Sequence, residues 1–165
     1  MIQFGSIADD IVRLSGNANV EIRHLDLASL SSVRKFATGI LESESRLDVL
    51  INNAGCAGYA ERELTEDGLE YQMQANYFGH FLLTNLLLGL LKKSAPSRVI
   101  NVSSIAHVWA KELDFNNLNS EKSYDPSNIY NTSKLCQVLS TRHLAPLVIN
   151  SGEFHQFIRS CLAFI

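Results

Sequence analysis

A tyrosine and a lysine stand four residues apart in the segment Tyr-Asn-Thr-Ser-Lys at positions 130–134. On a helix, residues at i and i+4 share one face, with a rise of about 6 Å between them. A phenol with its ordinary pKa of about 10 exchanges protons poorly at neutral pH, and a nearby ammonium group favours the phenolate. Tyr130 and Lys134 could therefore pass a proton to or from an oxygen atom of a bound molecule. The alternative is an aromatic ring packed against an aliphatic lysine stem.

Alternating strand and helix patterns surround this pair. Short apolar or alternating runs predict three strands, at 20–25, 47–53 and 97–104. Helical spacing of apolar residues predicts four helices, at 8–15, 29–44, 66–91 and 128–144. The order of these elements predicts an α/β fold built on a doubly wound parallel sheet.

Polar and small residues follow each predicted strand. In open parallel sheets, ligands bind beyond the carboxyl ends of the strands, so these residues are expected to line one crevice. Asp26 could accept an N–H from an adenine, or it could cap the next helix. The segment NNAG at 52–55 could let the backbone approach a flat ligand, or it could form an ordinary turn. Ser103 and Ser104 could hold a substrate oxygen, or they could be simple loop hydroxyls.

The predicted helix at 66–91 carries polar residues within the apolar segment ANYFGHFLLT. Burying an unpaired amide costs about 1–3 kcal/mol, so Asn76 is either a surface residue or has a dedicated partner. His80, one turn further on, is expected to be a packing histidine with a satisfied ring rather than a catalytic base. Gly79 provides a flat spot where another element can approach closely.

Charge and composition limit the classes of function. The chain carries a formal net charge of −3 and has no basic run, which gives no support for nucleic-acid binding. Its three cysteines form no CxxC or Cys/His cluster, so neither a metal site nor a disulfide framework is predicted. The longest apolar stretch, at 81–91, is about half the length that spans a bilayer. We therefore expect an intracellular protein with no membrane span, either cytoplasmic or peripherally associated with the endoplasmic reticulum.

Five motifs in order resemble the short-chain dehydrogenase/reductase family, and its retinol dehydrogenase branch in particular. They are Asp26, NNAG at 52–55, Asn76, NVSS at 101–104 and YNTSK at 130–134. The resemblance implies an oxidoreductase that uses NADP(H), with NAD as the alternative, and interconverts a small lipophilic alcohol and carbonyl such as retinol and retinal. A nicotinamide would move the hydride, because no side chain can.

The resemblance also implies a role for each residue. Tyr130 would be the acid/base, Lys134 would favour its phenolate and hold the nicotinamide ribose, and Ser104 would position the substrate oxygen. Asn76 would anchor a water that relays protons to Lys134. Besides Tyr130 and Lys134, the residues implied to contact the cofactor are Asp26 and Leu27, which would flank the adenine, and Asn53, Ala54 and Gly55.

Two features depart from the family pattern. None of the nine glycines forms the TGxxxGxG-type loop that cradles a pyrophosphate at a helix N-terminus, and no proline precedes a glycine. Residues 1–149 are therefore predicted to be a partial Rossmann-type domain without the first βαβ glycine-rich unit and the C-terminal strands. The strand at 20–25 would then lack its neighbours. The divergent tail, 150–165, repeats apolar residues at helical spacing, which predicts either an amphipathic helix or an accidental pattern.

Two functional hypotheses remain open. One is an oxidoreductase of the retinol dehydrogenase type that is weak or inactive in these 165 residues, because they carry no phosphate cradle. The other is a catalytically dead fragment or isoform that acts as an interaction partner of full-length homologues. In the family, the helices corresponding to 66–91 and 128–144 form the dimer interface, so a homo-oligomer through these helices is also expected.

Overall fold

The computed structural model describes residues 4–149 and 158–163. Its helices are α1 (Phe4–Ser15), α2 (Leu30–Ser43), α3 (Tyr71–Met73), α4 (Gly79–Lys93) and α5 (Pro126–Ile149), with a π-helical turn (Gln74–Phe78) that joins α3 to α4. Its strands are β1 (Val49–Asn52), β2 (Arg98–Ser104) and β3 (Ile158–Ala163). Two 3₁₀ turns lie between β2 and α5, at Ile105–Trp109 and Phe115–Asn117.

The three strands form one parallel sheet in the order β1–β2–β3. In the register of β1 and β2, Asn52 lies opposite Asn101. Both connections between successive strands contain helices, as parallel pairing requires, so the fold is an α/β sheet of βαβ units. The carboxyl ends of β1 and β2 consequently lie side by side, and the residues that follow Asn52 come close to Ser104.

The apolar core lies between α2, α4 and the sheet. Its buried members are Leu27, Val33, Ala37, Leu83, Leu87, Leu91 and Val99. Fully burying a leucine or valine side chain stabilises the folded state by about 1.5–3 kcal/mol. The three leucines of α4 recur every four residues, so one face of this helix supplies them. The apolar stretch at 81–91 is thus a helix that packs in the core, and none of the described helices has the length and hydropathy needed to cross a membrane.

Most of the predicted elements are confirmed. Ser29 caps α2 as predicted, because its Oγ accepts a hydrogen bond from the backbone N–H of Ser32 at 3.2 Å. The strands predicted at 47–53 and 97–104 correspond to β1 and β2, and the helix predicted at 128–144 lies inside α5. Pro126 begins α5, a position where its missing N–H leaves no hydrogen bond unmade.

The strand predicted at 20–25 is wrong, because this segment forms no strand in the structure. Backbone groups of a strand need a partner strand, and in the described part of the chain none lies beside the outer edge of β1. Side chains hold the segment instead. The Arg23 guanidinium bridges to the end of α2, where it donates to Glu44 Oε1 and Ser43 Oγ at 2.8 Å each.

The predicted start of the long helix at residue 66 is also wrong, because regular helix begins only at α3. Gly68 has a φ of +73°, a left-handed conformation that interrupts a helix. Glu70 then acts as the cap, since one carboxylate oxygen accepts from the Met73 N–H at 2.7 Å and the other from the Gln72 N–H at 3.2 Å.

The helical periodicity of the tail is accidental over residues 158–163, which form β3. This strand pairs in parallel with β2, from Val99 opposite Ile158 to Ser104 opposite Ala163. The edge of β2 offers free backbone donors and acceptors, and pairing with them overrides the spacing of the apolar side chains. The rest of the tail pattern, at Phe154, Phe157 and Ile165, lies outside the described residues.

Candidate active site

A cavity of about 940 Å³ opens at the carboxyl ends of β1 and β2. Six of the predicted site residues line it, namely Asn53, Ala54, Gly55, Ser104, Tyr130 and Lys134. They come from the loop after β1, the end of β2 and the first half of α5. Residues after two of the three predicted strands therefore line one cavity, whereas the end of the third, at 20–25, does not line it.

Helix α5 places Tyr130 and Lys134 together at this cavity. The Lys134 ammonium lies 5.6 Å from the centroid of the Tyr130 ring, within the range of a cation–π contact. Its Nζ also donates to the Val102 carbonyl of β2 at 3.1 Å, so the buried side chain reaches across from α5 to the sheet. Burial lowers the pKa of the Lys134 ammonium. The charged group itself, and not only its aliphatic stem, thus lies over the Tyr130 ring.

The two serines at the end of β2 have different surroundings. Ser103 is buried, and its hydroxyl donates to the Lys134 carbonyl at 2.9 Å, which ties α5 to the strand. Ser104 is half-buried and caps the following 3₁₀ turn, where its Oγ accepts from the Ala106 N–H at 3.2 Å. The Ser104 hydroxyl hydrogen is not used in that contact, so it can donate to an oxygen atom in the cavity.

Asn76 is buried in the π-helical turn, so the surface alternative for this residue is wrong. Its side-chain amide pairs with both backbone groups of Cys56, with Oδ1 accepting from the N–H at 2.8 Å and Nδ2 donating to the carbonyl at 2.9 Å. Nδ2 also lies 3.2 Å from Ser133 Oγ. Asn76 therefore fixes the loop that follows β1. Its role as the anchor of a relay water stays a prediction.

Gly55 allows this loop to pass close to Asn76 and Lys134. A Cβ at this position would lie 3.3 Å from Asn76 Oδ1 and 3.5 Å from Lys134 Nζ. The first distance is tighter than ordinary van der Waals contact, and Asn76 Oδ1 is held by its bond to Cys56. The close approach observed at this glycine is to two side chains, and the approach of the NNAG backbone to a flat ligand stays a prediction.

The main-chain carbonyl of Asn76 accepts two side-chain hydrogen bonds. Gln137 Nε2 donates to it at 2.8 Å, and His80 Nδ1 lies 3.0 Å from it. His80 is buried, its pKa is lowered by burial, and its ring nitrogen has this partner, as expected of a packing histidine. Sequence analysis did not identify Gln137. The available signal was its position one turn after Lys134 on the same helix.

A second cavity, of about 620 Å³, adjoins the first. Asp26 and Leu27 line it, and Ala54, Gly55 and Cys56 line both cavities. The two predicted groups of cofactor contacts thus line two cavities that share the loop after β1. Asp26 Oδ1 accepts from the Ala28 N–H at 2.8 Å, so this carboxylate stabilises the turn before α2, and its contact with an adenine stays a prediction.

A family model described as short chain dehydrogenase matches residues 5–112. The chain is 51% identical over 149 residues to human retinol dehydrogenase 13 and 54% identical over 132 residues to human retinol dehydrogenase 14. These alignments cover 88% and 80% of this chain but only 44% and 39% of the relatives. The chain therefore spans less than half the length of either relative.

Solved structures have the same fold. An uncharacterised protein from Mycobacterium paratuberculosis superposes with a TM-score of 0.72 at 42% identity, covering 82% of this chain and 48% of that protein. The RhlG/NADP active-site complex of Pseudomonas aeruginosa superposes with a TM-score of 0.67 at 29% identity, and the match covers 94% of this chain and 57% of the RhlG chain. With the matched family model and the relatives above, these findings establish that the chain belongs to the short-chain dehydrogenase family.

Proposed function

We propose that these 165 residues carry the catalytic half of an NADP(H)-dependent oxidoreductase that interconverts a lipophilic alcohol and a carbonyl. The observation that carries the proposal is the meeting of Tyr130, Lys134 and Ser104 at one cavity beside the loop after β1. The names of the two human relatives support retinol and retinal as the substrate class. The NADP complex of the bacterial structure supports the choice of NADP(H), with NAD as the alternative.

The side chains divide the proton chemistry between them. The Ser104 hydroxyl donates to the substrate oxygen and holds it near Tyr130. The Tyr130 phenol gives its proton to a carbonyl oxygen in reduction, and its phenolate takes a proton from an alcohol in oxidation. The Lys134 ammonium stabilises the phenolate that forms when the proton leaves. When bound, the nicotinamide supplies or accepts the hydride.

The residues present fit two parts of such a cofactor. Gly55 leaves room beside the Lys134 ammonium, which can donate to ribose hydroxyls, and Leu27 gives the second cavity an apolar wall that suits an adenine ring. Apolar residues of the first cavity suit a lipophilic substrate, among them Val102, Ile105 and Trp109. The 165 residues contain no glycine-rich loop for the pyrophosphate, so we expect this chain by itself to turn over slowly or not at all.

The alternative function is that of an interaction partner of longer homologues. Large apolar side chains remain exposed on the two helices expected to form a dimer interface, with Phe81 of α4 48% exposed and Leu139 of α5 42% exposed. An inactive chain that associates with a longer homologue through these helices would fit this alternative. Size-exclusion chromatography of the purified chain, alone and mixed with such a homologue, tests it directly.

Cofactor binding can be measured through the single tryptophan. Trp109 lines the catalytic cavity, so bound NADPH should quench its emission by energy transfer. We expect saturable transfer on titration with NADPH in a sample that first gives a cooperative thermal transition. Trp109→Phe is the control, because it removes the donor and should leave no such signal.

A folded sample with no energy transfer would contradict the proposed cofactor site.

Turnover of retinal with NADPH is the second measurement. We expect a rate far below that of an ordinary dehydrogenase, about 1–10³ s⁻¹. A rate within that range would overturn the expectation that the chain alone is impaired, while supporting the proposed reaction.

A further inference from the structure

The helix that carries Asn76 departs from regular α-helical geometry at that residue. Residues Gln74–Phe78 form a π-helical turn, and the Gly79 N–H bonds to the carbonyl of Gln74, five residues back. Such turns are rare and change which carbonyls are available inside a helix. Something in the surrounding structure must therefore favour this turn over a regular α-helical one.

The Asn76 carbonyl receives donors from two different elements. Gln137 of α5 donates through Nε2 at 2.8 Å, and His80 of α4 contacts the same oxygen through Nδ1 at 3.0 Å. Both side chains are buried, with Gln137 2% exposed and His80 4% exposed. The partner is a carbonyl, which only accepts, so the Gln137 amide must present its nitrogen and the His80 ring must carry its proton on Nδ1.

The Gln137 amide makes no other side-chain hydrogen bond among the described residues. Its Oε1 is buried and without a partner there, a state that disfavours folding. A methionine would fill a similar volume without this cost. The one side-chain hydrogen bond that the glutamine makes among the described residues is thus the bond to the Asn76 carbonyl.

We propose that Gln137, together with His80, is a positioning residue that holds the π-helical turn and so keeps Asn76 in place against the loop after β1. The Asn76 side chain pairs with both backbone groups of Cys56, next to Gly55 and Lys134. Displacing the turn would release this loop from the floor of the catalytic cavity. The catalytic consequence rests on the proposed function, but the positioning itself can be tested without cofactor or substrate.

The direct test is amide hydrogen exchange at Cys56, whose N–H donates to Asn76 Oδ1. In the 165-residue chain, we expect Gln137→Met to speed exchange of the Cys56 amide about tenfold relative to the native sequence. The amide of Leu87, in the core of α4, should exchange at an unchanged rate. That local change separates positioning from a general loss of stability, which would speed both amides.

Gln72→Met is the matched control. Gln72 is also buried, on the same helical run, but both polar atoms of its side chain lack a partner among the described residues. This second glutamine-to-methionine change should leave Cys56 exchange at its native rate. A Cys56 rate that rises equally in both variants would overturn the proposal, and so would an unchanged rate in Gln137→Met.

Two further variants decide the outcome if Gln137→Met fails to fold. His80→Phe removes the other donor and should also speed exchange at Cys56 about tenfold. Gln137→Glu at about pH 5 keeps a donor, because burial holds the introduced carboxyl in its protonated form, and it should exchange at the native rate. Native exchange in His80→Phe, or fast exchange in Gln137→Glu, would contradict a role for donors to the Asn76 carbonyl.

Discussion

Replacing Gly79 by alanine is expected to lower the free energy of unfolding by about 1–3 kcal/mol, or to prevent folding. A Cβ at this position would lie 2.5 Å from the Leu27 carbonyl oxygen and 3.0 Å from Leu27 Cβ. The nearest atom belongs to the backbone, which cannot rotate away as a side chain can. The gain in helix propensity, about 1 kcal/mol, is too small to offset such a clash. Thermal and urea denaturation of the two proteins give the difference directly.

Gly89→Ala is the matched control for this prediction. Gly89 lies on the same helix, and a Cβ there would meet no atom within 4 Å. Alanine should therefore stabilise the protein at this position, by about 0.5–1 kcal/mol through helix propensity alone. Equal changes in the free energy of unfolding at the two glycines would contradict the close contact between Leu27 and α4 at Gly79.

The order of the elements was predictable because each rests on a local pattern. Strands β1 and β2 are apolar runs with polar ends, and the Ser29 cap marks the start of α2. Gly79 was predictable as a point of close approach for the same reason, since a glycine among large apolar residues has few other uses. What it approaches, the backbone at Leu27, depends on how the chain returns and could not be inferred from spacing.

Strand pairing was the part that local patterns could not determine. The segment 20–25 has an alternating pattern yet forms no strand, while residues 158–163 have helical spacing yet form β3. In both cases, whether a strand forms depends on whether a partner strand is available. A strand is stabilised by hydrogen bonds to another strand, and β2 offers an edge to 158–163, whereas no described strand lies beside 20–25.

In the candidate site, too, local patterns predicted some features, whereas contacts between distant parts of the sequence could not be predicted. The types and spacing of Tyr130 and Lys134 were sufficient to predict that they share a helix face, and the structure brings Ser104 to the same cavity. The contacts behind them were not predictable. Gln137 lies 61 residues from Asn76 in the sequence, and a π-helical turn has no recognised sequence pattern that could have indicated their contact.

Under the proposed function, the largest expected effect on catalysis is that of Lys134→Met, which should reduce the residual turnover of the chain at least about 100-fold while leaving the fold intact. Methionine keeps the length of the stem but removes the ammonium group, which in the proposed reaction lies beside Tyr130 when that residue gives up its proton. Burial lowers the pKa of Lys134, so the folded protein disfavours its charged form, and the lost hydrogen bond to Val102 is worth only about 1 kcal/mol. We therefore expect the free energy of unfolding to stay within about 1 kcal/mol of the native value.

The pH dependence of stability separates this explanation from a general effect of the substitution. The folded pKa of Lys134 lies below its ordinary value of 10.5, so the unfolded chain binds more protons than the folded one between those two pKa values. Native stability should accordingly gain a contribution as pH rises through the folded pKa towards 10.5, and Lys134→Met should lack it. Urea denaturation of both proteins at about pH 7 and about pH 10 measures the difference in stability.

Lys111→Met is the control. Lys111 is an exposed partner of Asp125 outside the cavity, so this substitution should leave both turnover and the pH dependence of stability unchanged. If instead the difference between the native protein and Lys134→Met were the same at both pH values, the result would contradict the conclusion that burial disfavours the charged form of Lys134.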